Sequence, residues 1–158
     1  MLLLAAREAV TQRFRHQNMA VGLTEQQWRV IRALAEVDAL EIVALSARCR
    51  IHAASLSRIL PRLNKLGLIQ RRSDAADHRR VIVSLAPRGR RLLDQILPES
   101  ARIYQQIARD VGPERLDQMY AMLEEFIRLL GGAKPAETLP QRAEWHVARK
   151  TSRKDPGK

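Results

Sequence analysis

The chain has 158 residues, of which 46% are hydrophobic, and a formal net charge of +11. This length suits one domain, or a small domain on a helical scaffold, and the hydrophobic fraction suffices for a core, which excludes a disordered chain. No apolar run approaches the ~20 residues that a transmembrane helix requires, and a single cysteine excludes an intramolecular disulfide, so we expect a cytoplasmic protein that does not enter a membrane.

The N-terminal part of the chain predicts two amphipathic helices. Residues 2–17 carry apolar side chains at helical spacing. Thr24 and Gln27 then have the spacing of a capping box, in which each side chain satisfies a backbone N–H of the first helical turn. Trp28 and Ile31 begin the apolar stripe of the second helix.

The middle of the chain predicts a helix-turn-helix followed by a β-hairpin. A short helix over 41–48 leads through a tight turn at 50–52 into a second helix. Gly67 ends that helix, at the position where a left-handed backbone is needed. Two strands follow, 68–72 and 80–85, joined by a polar turn.

Two long helices complete the pattern. Pro87 suits the first turn of a helix that runs to about Val111, and Pro98 is expected to kink it because proline removes an intrahelical hydrogen bond. Gly112 precedes a last helix with one apolar side. From residue 133 the chain has no periodic stripe and is predicted to be a flexible basic tail.

These elements predict a mainly α fold with a small β-wing. Residues 23–86 would form a winged helix-turn-helix domain. Residues 1–22 and 87–132 would form a helical dimerisation region, because their apolar stripes exceed what a small winged helix can cover. Residues 133–158 would be the basic tail.

Positive charge is concentrated in the middle of the chain. From Arg48 to Arg91 there are 12 Lys and Arg residues against 2 Asp, a net of +10. Such a surface beside a helix-turn-helix is suited to the phosphate backbone of DNA, so we predict a protein that binds double-stranded DNA. The candidate contacts are polar or cationic residues of the second helix and of the hairpin: His52, Ser55, Ser57, Arg58, Arg62, Arg71, Arg72, Asp77, Arg79 and Arg80.

Pro61 lies inside the predicted recognition helix, where a proline costs roughly 3 kcal/mol unless the helix bends. Either the helix kinks after Leu60 or its C-terminal half is displaced from the DNA groove. We therefore expect residues 52–58 to be better placed for contacts than Arg62.

Catalytic and metal-binding patterns are missing from the sequence. It has no phosphate-binding glycine loop, no Gly-x-Ser-x-Gly and no His-Glu-x-x-His, and its histidines do not have metal-ligand spacing. Cys49 is interpreted as a small buried hydrophobic residue rather than a reactive thiol. We expect neither enzymatic activity nor a cofactor.

Three stretches resemble the MarR (multiple-antibiotic-resistance regulator) family of dimeric bacterial winged-helix repressors. They are Leu-Thr-Glu-Gln-Gln-Trp-Arg-Val at 23–30, Leu-Gly-Leu-Ile at 66–69, and Asp-His-Arg at 77–79 followed by the strand at 81–85. The resemblance covers about residues 2–130. Residues 6–9, 14–15, 23–29 and 124–127 are most similar to regulators of homoprotocatechuate (4-hydroxyphenylacetate) degradation operons. Ala86 departs from the family, which usually has a threonine N-cap there.

The resemblance implies a homodimeric repressor that reads a pseudo-palindromic operator with half-sites ~10 base pairs apart. Arg79 would be the arginine at the wing, held in place by Asp77. A small aromatic carboxylate or phenolic effector would release the DNA. An architectural DNA-binding protein without a small-molecule switch is the alternative; it predicts weak sequence preference and steep salt dependence.

Five residues are candidates for binding the effector: Arg7, Arg15, His16, Trp28 and Arg32. The fork of an arginine suits a carboxylate, and the others would line a cleft beside the DNA-binding lobe. Two structural alternatives stay open. Arg7 would instead pair with Glu124 or Glu125 in the dimer base, and Trp28 would instead belong to the core.

Overall fold

The computed structural model describes residues 1–73 and 80–132, and the chain forms two compact units, one from Met1 to Pro98 and one from Glu99 onward. The described residues are mostly helical, with one small antiparallel sheet. The helices are α1 Leu2–Arg13, α2 Arg15–Ala20, α3 Glu25–Ala35, α4 Ile42–Cys49, α5 Ala53–Lys65, α6 Pro87–Val111 and α7 Pro113–Leu129. The strands are β1 Leu40–Glu41, β2 Ile69–Ser73 and β3 Val81–Leu85.

The prediction of one helix over residues 2–17 is wrong, because the helix is interrupted at Phe14, between α1 and α2. The N–H of Phe14 bonds to the carbonyl of Thr11 at 3.1 Å, which tightens the last turn of α1. Phe14 is buried, whereas α1 itself buries no residue. One aromatic side chain is thus buried at the break between the two helices, while the apolar residues of α1 are exposed.

α3 is the centre of the core of the first unit. Its capping box is confirmed: the N–H of Gln27 donates to Thr24 Oγ1 at 3.2 Å, and the N–H of Thr24 donates to Gln27 Oε1 at 2.9 Å. Trp28, Ile31 and Leu34 are buried on one side of the helix, as the stripe predicts. This fixed start and buried face determine where the polar side of α3 lies.

α4 and α5 form the expected helix-turn-helix. Leu45 of α4 and Leu56 and Leu63 of α5 are fully buried in the same core as α3. Arg50, in the turn, adopts a left-handed backbone with φ 52°, a conformation that is uncommon outside glycine. The turn is closed by Ser46, whose hydroxyl donates to the carbonyl of Ile51 at 2.7 Å.

α5 ends as the sequence predicts. Gly67 has φ 68°, its N–H donates to the carbonyl of Asn64, and the N–H of Leu68 donates to the carbonyl of Leu63. These two bonds are those of a Schellman motif. The helix continues through Pro61, which is exposed; the predicted kink after Leu60 stays a prediction.

The sheet has the order β1-β3-β2, with Ile69 opposite Leu85 and Ser73 opposite Val81. The predicted strands of the hairpin are confirmed to within one residue. The sequence did not reveal β1, because its two residues carry no alternating pattern. The hairpin turn, 74–79, and the predicted tail, 133–158, lie outside the described residues.

α6 packs against the start of β2 at very short range. The N–H of Ala86 donates to the carbonyl of Leu68 at 3.0 Å, and Pro87 is the first helical residue. Gly89 lies so close that a Cβ there would be 2.1 Å from the carbonyl oxygen of Leu68. α6 continues through Pro98 to Val111, as expected, and its predicted kink stays a prediction.

α7 begins with Pro113 after Gly112, as predicted, and buries Leu116. Leu123 and Ile127 of its apolar stripe are half-buried, and the rest of the stripe is exposed. Five large hydrophobic residues of α7 and its C-cap are exposed: Met119, Met122, Phe126, Leu129 and the C-cap Leu130.

Candidate DNA-binding surface and effector site

α5 presents one buried and one polar face. Leu56, Ile59, Leu60 and Leu63 are buried, so the opposite side of the helix is held outward. That side carries most of the predicted DNA contacts of the helix. His52, Ser57, Arg58 and Arg62 are exposed, and Ser55 is half-buried.

The cations of this surface are not neutralised by the described residues 1–73 and 80–132. Among the residues that the structure describes, Arg58 and Arg62 of α5 and Arg71 and Arg72 of β2 have no hydrogen-bond or ion-pair partner. Arg29 and Arg48, by contrast, are half-buried and paired with Glu25 and Glu36. The arginines of the outward face therefore retain their full capacity to donate to an external anion such as a phosphate.

Arg80 differs from the other predicted contacts, because it forms an ion pair with Glu41 of β1. This pair ties the short strand β1 to the beginning of β3. Arg80 thus has a structural partner that the sequence did not suggest. Asp77 and Arg79 lie outside the described residues, so the wing arginine stays a prediction.

Arg7 has a carboxylate partner that sequence reasoning missed. Its Nη2 donates to Glu25 Oε2 at 3.1 Å, and Arg29 Nη2 lies 3.0 Å from the other oxygen of Glu25. The structural alternative proposed from the sequence paired Arg7 with Glu124 or Glu125 and did not foresee Glu25 as its partner. The two residues are 18 positions apart in the sequence, and the fold brings their side chains together.

Glu125 has a different partner, on its own helix. Arg128 Nε donates to it at 2.8 Å, and this hydrogen bond lowers the pKa of the Glu125 carboxyl. Both side chains are exposed, so the pair is a surface feature of α7 with little expected effect on stability.

Trp28 and Arg32 share one side of α3 with Glu25, because positions i, i+3 and i+7 lie on one face of a helix. Trp28 is 5% exposed, which confirms the interpretation of its ring as part of the core. Arg32 is half-buried. Through Glu25, the structure therefore brings Arg7 to the same face as Trp28 and Arg32.

The other two effector candidates lie on α2. Arg15 and His16 are both exposed, and no described contact links either of them to Trp28 or Arg32. Their place in an effector site stays a prediction.

Cys49 is a buried residue at the end of α4. It is 2% exposed, and burial raises the pKa of its thiol to about 11, against the lowering effect of the nearby charges of Arg29 and Arg48. At neutral pH the thiol is protonated and unreactive. The interpretation of Cys49 as a small core residue is confirmed.

Comparison with known proteins identifies the family. The sequence model of the protein family described as "MarR family" matches residues 21–80 of this chain. The homoprotocatechuate degradative operon repressor of Escherichia coli is 36% identical over 138 residues, which cover 87% of this chain and 92% of that protein. The chain belongs to the MarR family. The resemblance deduced from residues 23–30, 66–69 and 77–85 is confirmed, and the protein is a transcriptional regulator of winged-helix fold.

Two solved structures of MarR-type regulators are similar over most of the chain. NadR in complex with 4-hydroxyphenylacetate is 32% identical, with a TM-score of 0.73, and the match covers 82% of this chain and 94% of NadR. BpsR of Bordetella bronchiseptica, whose DNA binding is regulated by 6-hydroxynicotinic acid, is 26% identical with a TM-score of 0.72, covering 79% and 95%. Relatives of this MarR protein thus include one that binds a small aromatic acid and one whose DNA binding such an acid regulates.

Two further observations concern only the described residues, 1–73 and 80–132. None of their helices combines the length and the apolar character needed to cross a bilayer. Their His, Cys, Asp and Glu side chains form no cluster of three that is placed to hold a metal ion.

Proposed function

We propose that this MarR protein is a homodimeric repressor of an aromatic-acid catabolic operon, released from a pseudo-palindromic operator by a small aromatic carboxylate. The observation that carries the DNA-binding part is the outward face of α5, where Arg58 and Arg62 are exposed beside His52 and Ser57 and have no partner in the part of the chain that the structure describes. A rigid helix with such a face fits the major groove, where polar side chains reach base edges.

The apolar surfaces of α1 and α7 support the homodimer. Leu2, Leu3, Leu4 and Val10 of α1 are exposed, as are Phe126 and Leu129 of α7. Exposed apolar patches of this kind mark interaction sites, and a second copy of the chain offers matching patches. The domain organisation proposed here is a winged helix over 23–86 and dimerisation helices over 1–22 and 87–132.

The ligands of the relatives support the effector class. NadR is seen with 4-hydroxyphenylacetate, and BpsR responds to 6-hydroxynicotinic acid. Both compounds combine an aromatic ring with an acidic group. In this chain Arg32 supplies a half-buried cation and Arg7 is held beside α3 through Glu25, whereas Trp28 belongs to the core. Arg15 and His16 complete the proposed effector residues.

Release requires that the effector favour a dimer geometry that no longer fits the operator. A difference of a few kcal/mol in affinity for the two geometries is sufficient, since each 1.4 kcal/mol changes a population ratio about tenfold. No cofactor takes part in this mechanism.

The test is a fluorescence-anisotropy titration of the purified protein on the duplex upstream of its own gene. It is run at fixed salt, with excess unrelated duplex, in the presence and absence of 4-hydroxyphenylacetate and homoprotocatechuate. We expect tight binding that one of the two compounds relieves. Binding that unrelated duplex removes completely would contradict sequence-specific repression and favour an architectural protein, which any DNA displaces equally.

Replacing Arg58 by alanine should weaken operator binding by roughly 1–3 kcal/mol, or about 5- to 150-fold, if the guanidinium contacts a base or a phosphate from the groove. Arg102→Ala is the matched control, because it removes the same charge from an exposed arginine of α6. Equal losses in the two variants would show that only net charge matters. The measurement is the same anisotropy titration at one salt concentration.

Replacing Arg7 or Arg32 by alanine should leave operator affinity within about twofold and raise the effector concentration needed for release about tenfold or more, because each charge-assisted hydrogen bond contributes roughly 1.5–3 kcal/mol. Arg13→Ala, in the same helix as Arg7, is the control. An unchanged effector response in both variants would remove these arginines from the effector site.

A further inference from the structure

A cleft of about 610 Å³ lies within the first unit, where the end of α5 faces the beginning of α6. Its volume is in the range of sites that hold small organic ligands. Leu23 and Leu68, both buried, contribute to its lining together with the half-buried Leu66 and Leu92. The cleft therefore has a substantial apolar surface.

Three arginines also line this cleft: Arg62 of α5 and Arg88 and Arg91 of α6. All three are exposed, and none has a hydrogen-bond or ion-pair partner among the residues described for this protein. The first turn of α6 contains no acidic side chain. Cations at a helix N-terminus are unfavourable next to the positive end of the helix dipole, so an anion bound here would relieve repulsion as well as gain hydrogen bonds.

The walls of the cleft are held in a fixed relation. The Schellman motif at Gly67 ends α5, and Gly89 of α6 packs against the carbonyl of Leu68. The Cδ of Arg88 lies 3.8 Å from the position that a Cβ of Gly67 would occupy. The side chain of Arg88 therefore extends from α6 to the end of α5. A preformed site loses little conformational entropy on binding.

We propose that this cleft binds an organic anion with an apolar body, its acidic group held by Arg62, Arg88 and Arg91 and its hydrocarbon part placed against the leucines. Inorganic phosphate or a DNA phosphate would satisfy the arginines but leave the apolar lining unused. The cleft shares no lining residue with the effector site proposed around Arg7 and Arg32. It is thus a second ligand site, and Arg62 links it to the proposed DNA-binding face of α5.

The test is calorimetric titration of the full-length protein, without DNA, with 1-naphthoate, the neutral analogue 1-naphthalenemethanol, and inorganic phosphate. We expect saturable binding of 1-naphthoate, at least tenfold tighter than of either other probe. The double variant Arg88→Gln/Arg91→Gln should bind naphthoate at least tenfold more weakly. The matched control is Arg90→Gln/Arg102→Gln, which removes two exposed arginines of the same helix that do not line the cleft; it should bind like the unaltered protein.

The same titration in an Arg7→Ala/Arg32→Ala background separates the two sites. Persistence of naphthoate binding supports the cleft, and loss of it would place naphthoate in the effector site and overturn the cleft proposal. Equal binding of naphthoate by the Arg88→Gln/Arg91→Gln variant, or no saturable binding by the unaltered protein, would also overturn it. Because no DNA is present, these outcomes do not depend on whether the repressor proposal holds.

Discussion

Phe126→Glu is expected to sediment as a monomer and to bind the operator roughly 10²- to 10⁴-fold more weakly than the unaltered protein, since joining two DNA-binding modules contributes an advantage of about this size. Phe126 is 48% exposed in the isolated chain and lies among the exposed apolar residues of α7. In a two-fold dimer the substitution places two unpaired carboxylates in one apolar interface, at a cost of several kcal/mol for each.

Gln118→Glu is the control for this variant. It introduces the same charge on the same helix, at an exposed polar position. Analytical ultracentrifugation at micromolar concentration gives the oligomeric state, and anisotropy gives the DNA affinity. A Phe126→Glu protein that stays dimeric and binds DNA normally would contradict the assignment of α7 to the dimer interface.

Gly89→Ala is expected to destabilise the protein by roughly 1–3 kcal/mol, because a methyl group forced into a packed site shifts the backbone around it. The sign of this change in the free energy of unfolding is informative, because replacing a Gly by Ala within a helix ordinarily stabilises a protein by about 1 kcal/mol. At Gly89 the added Cβ would be 2.1 Å from the carbonyl oxygen of Leu68, and that oxygen accepts the N–H of Ala86. Neither backbone group can move without breaking the junction of α6 with β2.

Urea unfolding at a fixed protein concentration measures this change. Arg90→Ala, at the adjacent and exposed position of α6, should change the free energy of unfolding by less than about 0.5 kcal/mol. If Gly89→Ala were more stable than the unaltered protein, the close packing of α6 on Leu68 would be refuted.

The elements that the sequence predicted correctly are those with a local cause. Thr24 and Gln27 form a capping box through residues three apart, and Gly67 ends α5 through bonds to the preceding turn. Pro87 begins α6 because its missing N–H costs nothing at the first helical position. Local patterns were sufficient here because the interactions span only a few residues.

What the sequence did not reveal depends on tertiary packing. β1 consists of two residues that are strand-like only because they pair with β3. The interruption of the helix at Phe14 accompanies burial of its ring, and the apolar periodicity of the sequence continues through this position without marking it. The partner of Arg7 is Glu25, in another helix, and Arg80 finds Glu41, 39 residues away.

The same reasoning explains the functional residues. The proposed DNA-binding face of α5 could be predicted because its polar residues lie on one side of a single helix. The cleft could not be predicted in this way, because Leu23, Arg62 and Arg91, which line it, come from three separate segments of the chain. The net charge of +10 over residues 48–91 can be counted from the sequence. The sequence does not show which of these cations lie on the outward face of α5 and which line the cleft.

The burial of Cys49 has a practical consequence for work with this regulator. Its thiol is the only one in the sequence, and with a pKa raised to about 11 it is almost entirely protonated near neutral pH. Maleimide reagents attack the thiolate of an accessible cysteine, so the native residue competes poorly with one introduced on the surface. A fluorophore can therefore be attached at a chosen exposed position, such as Ala54 of α5, without first removing Cys49. The recognition helix thereby becomes a site for a reporter of operator binding in real time.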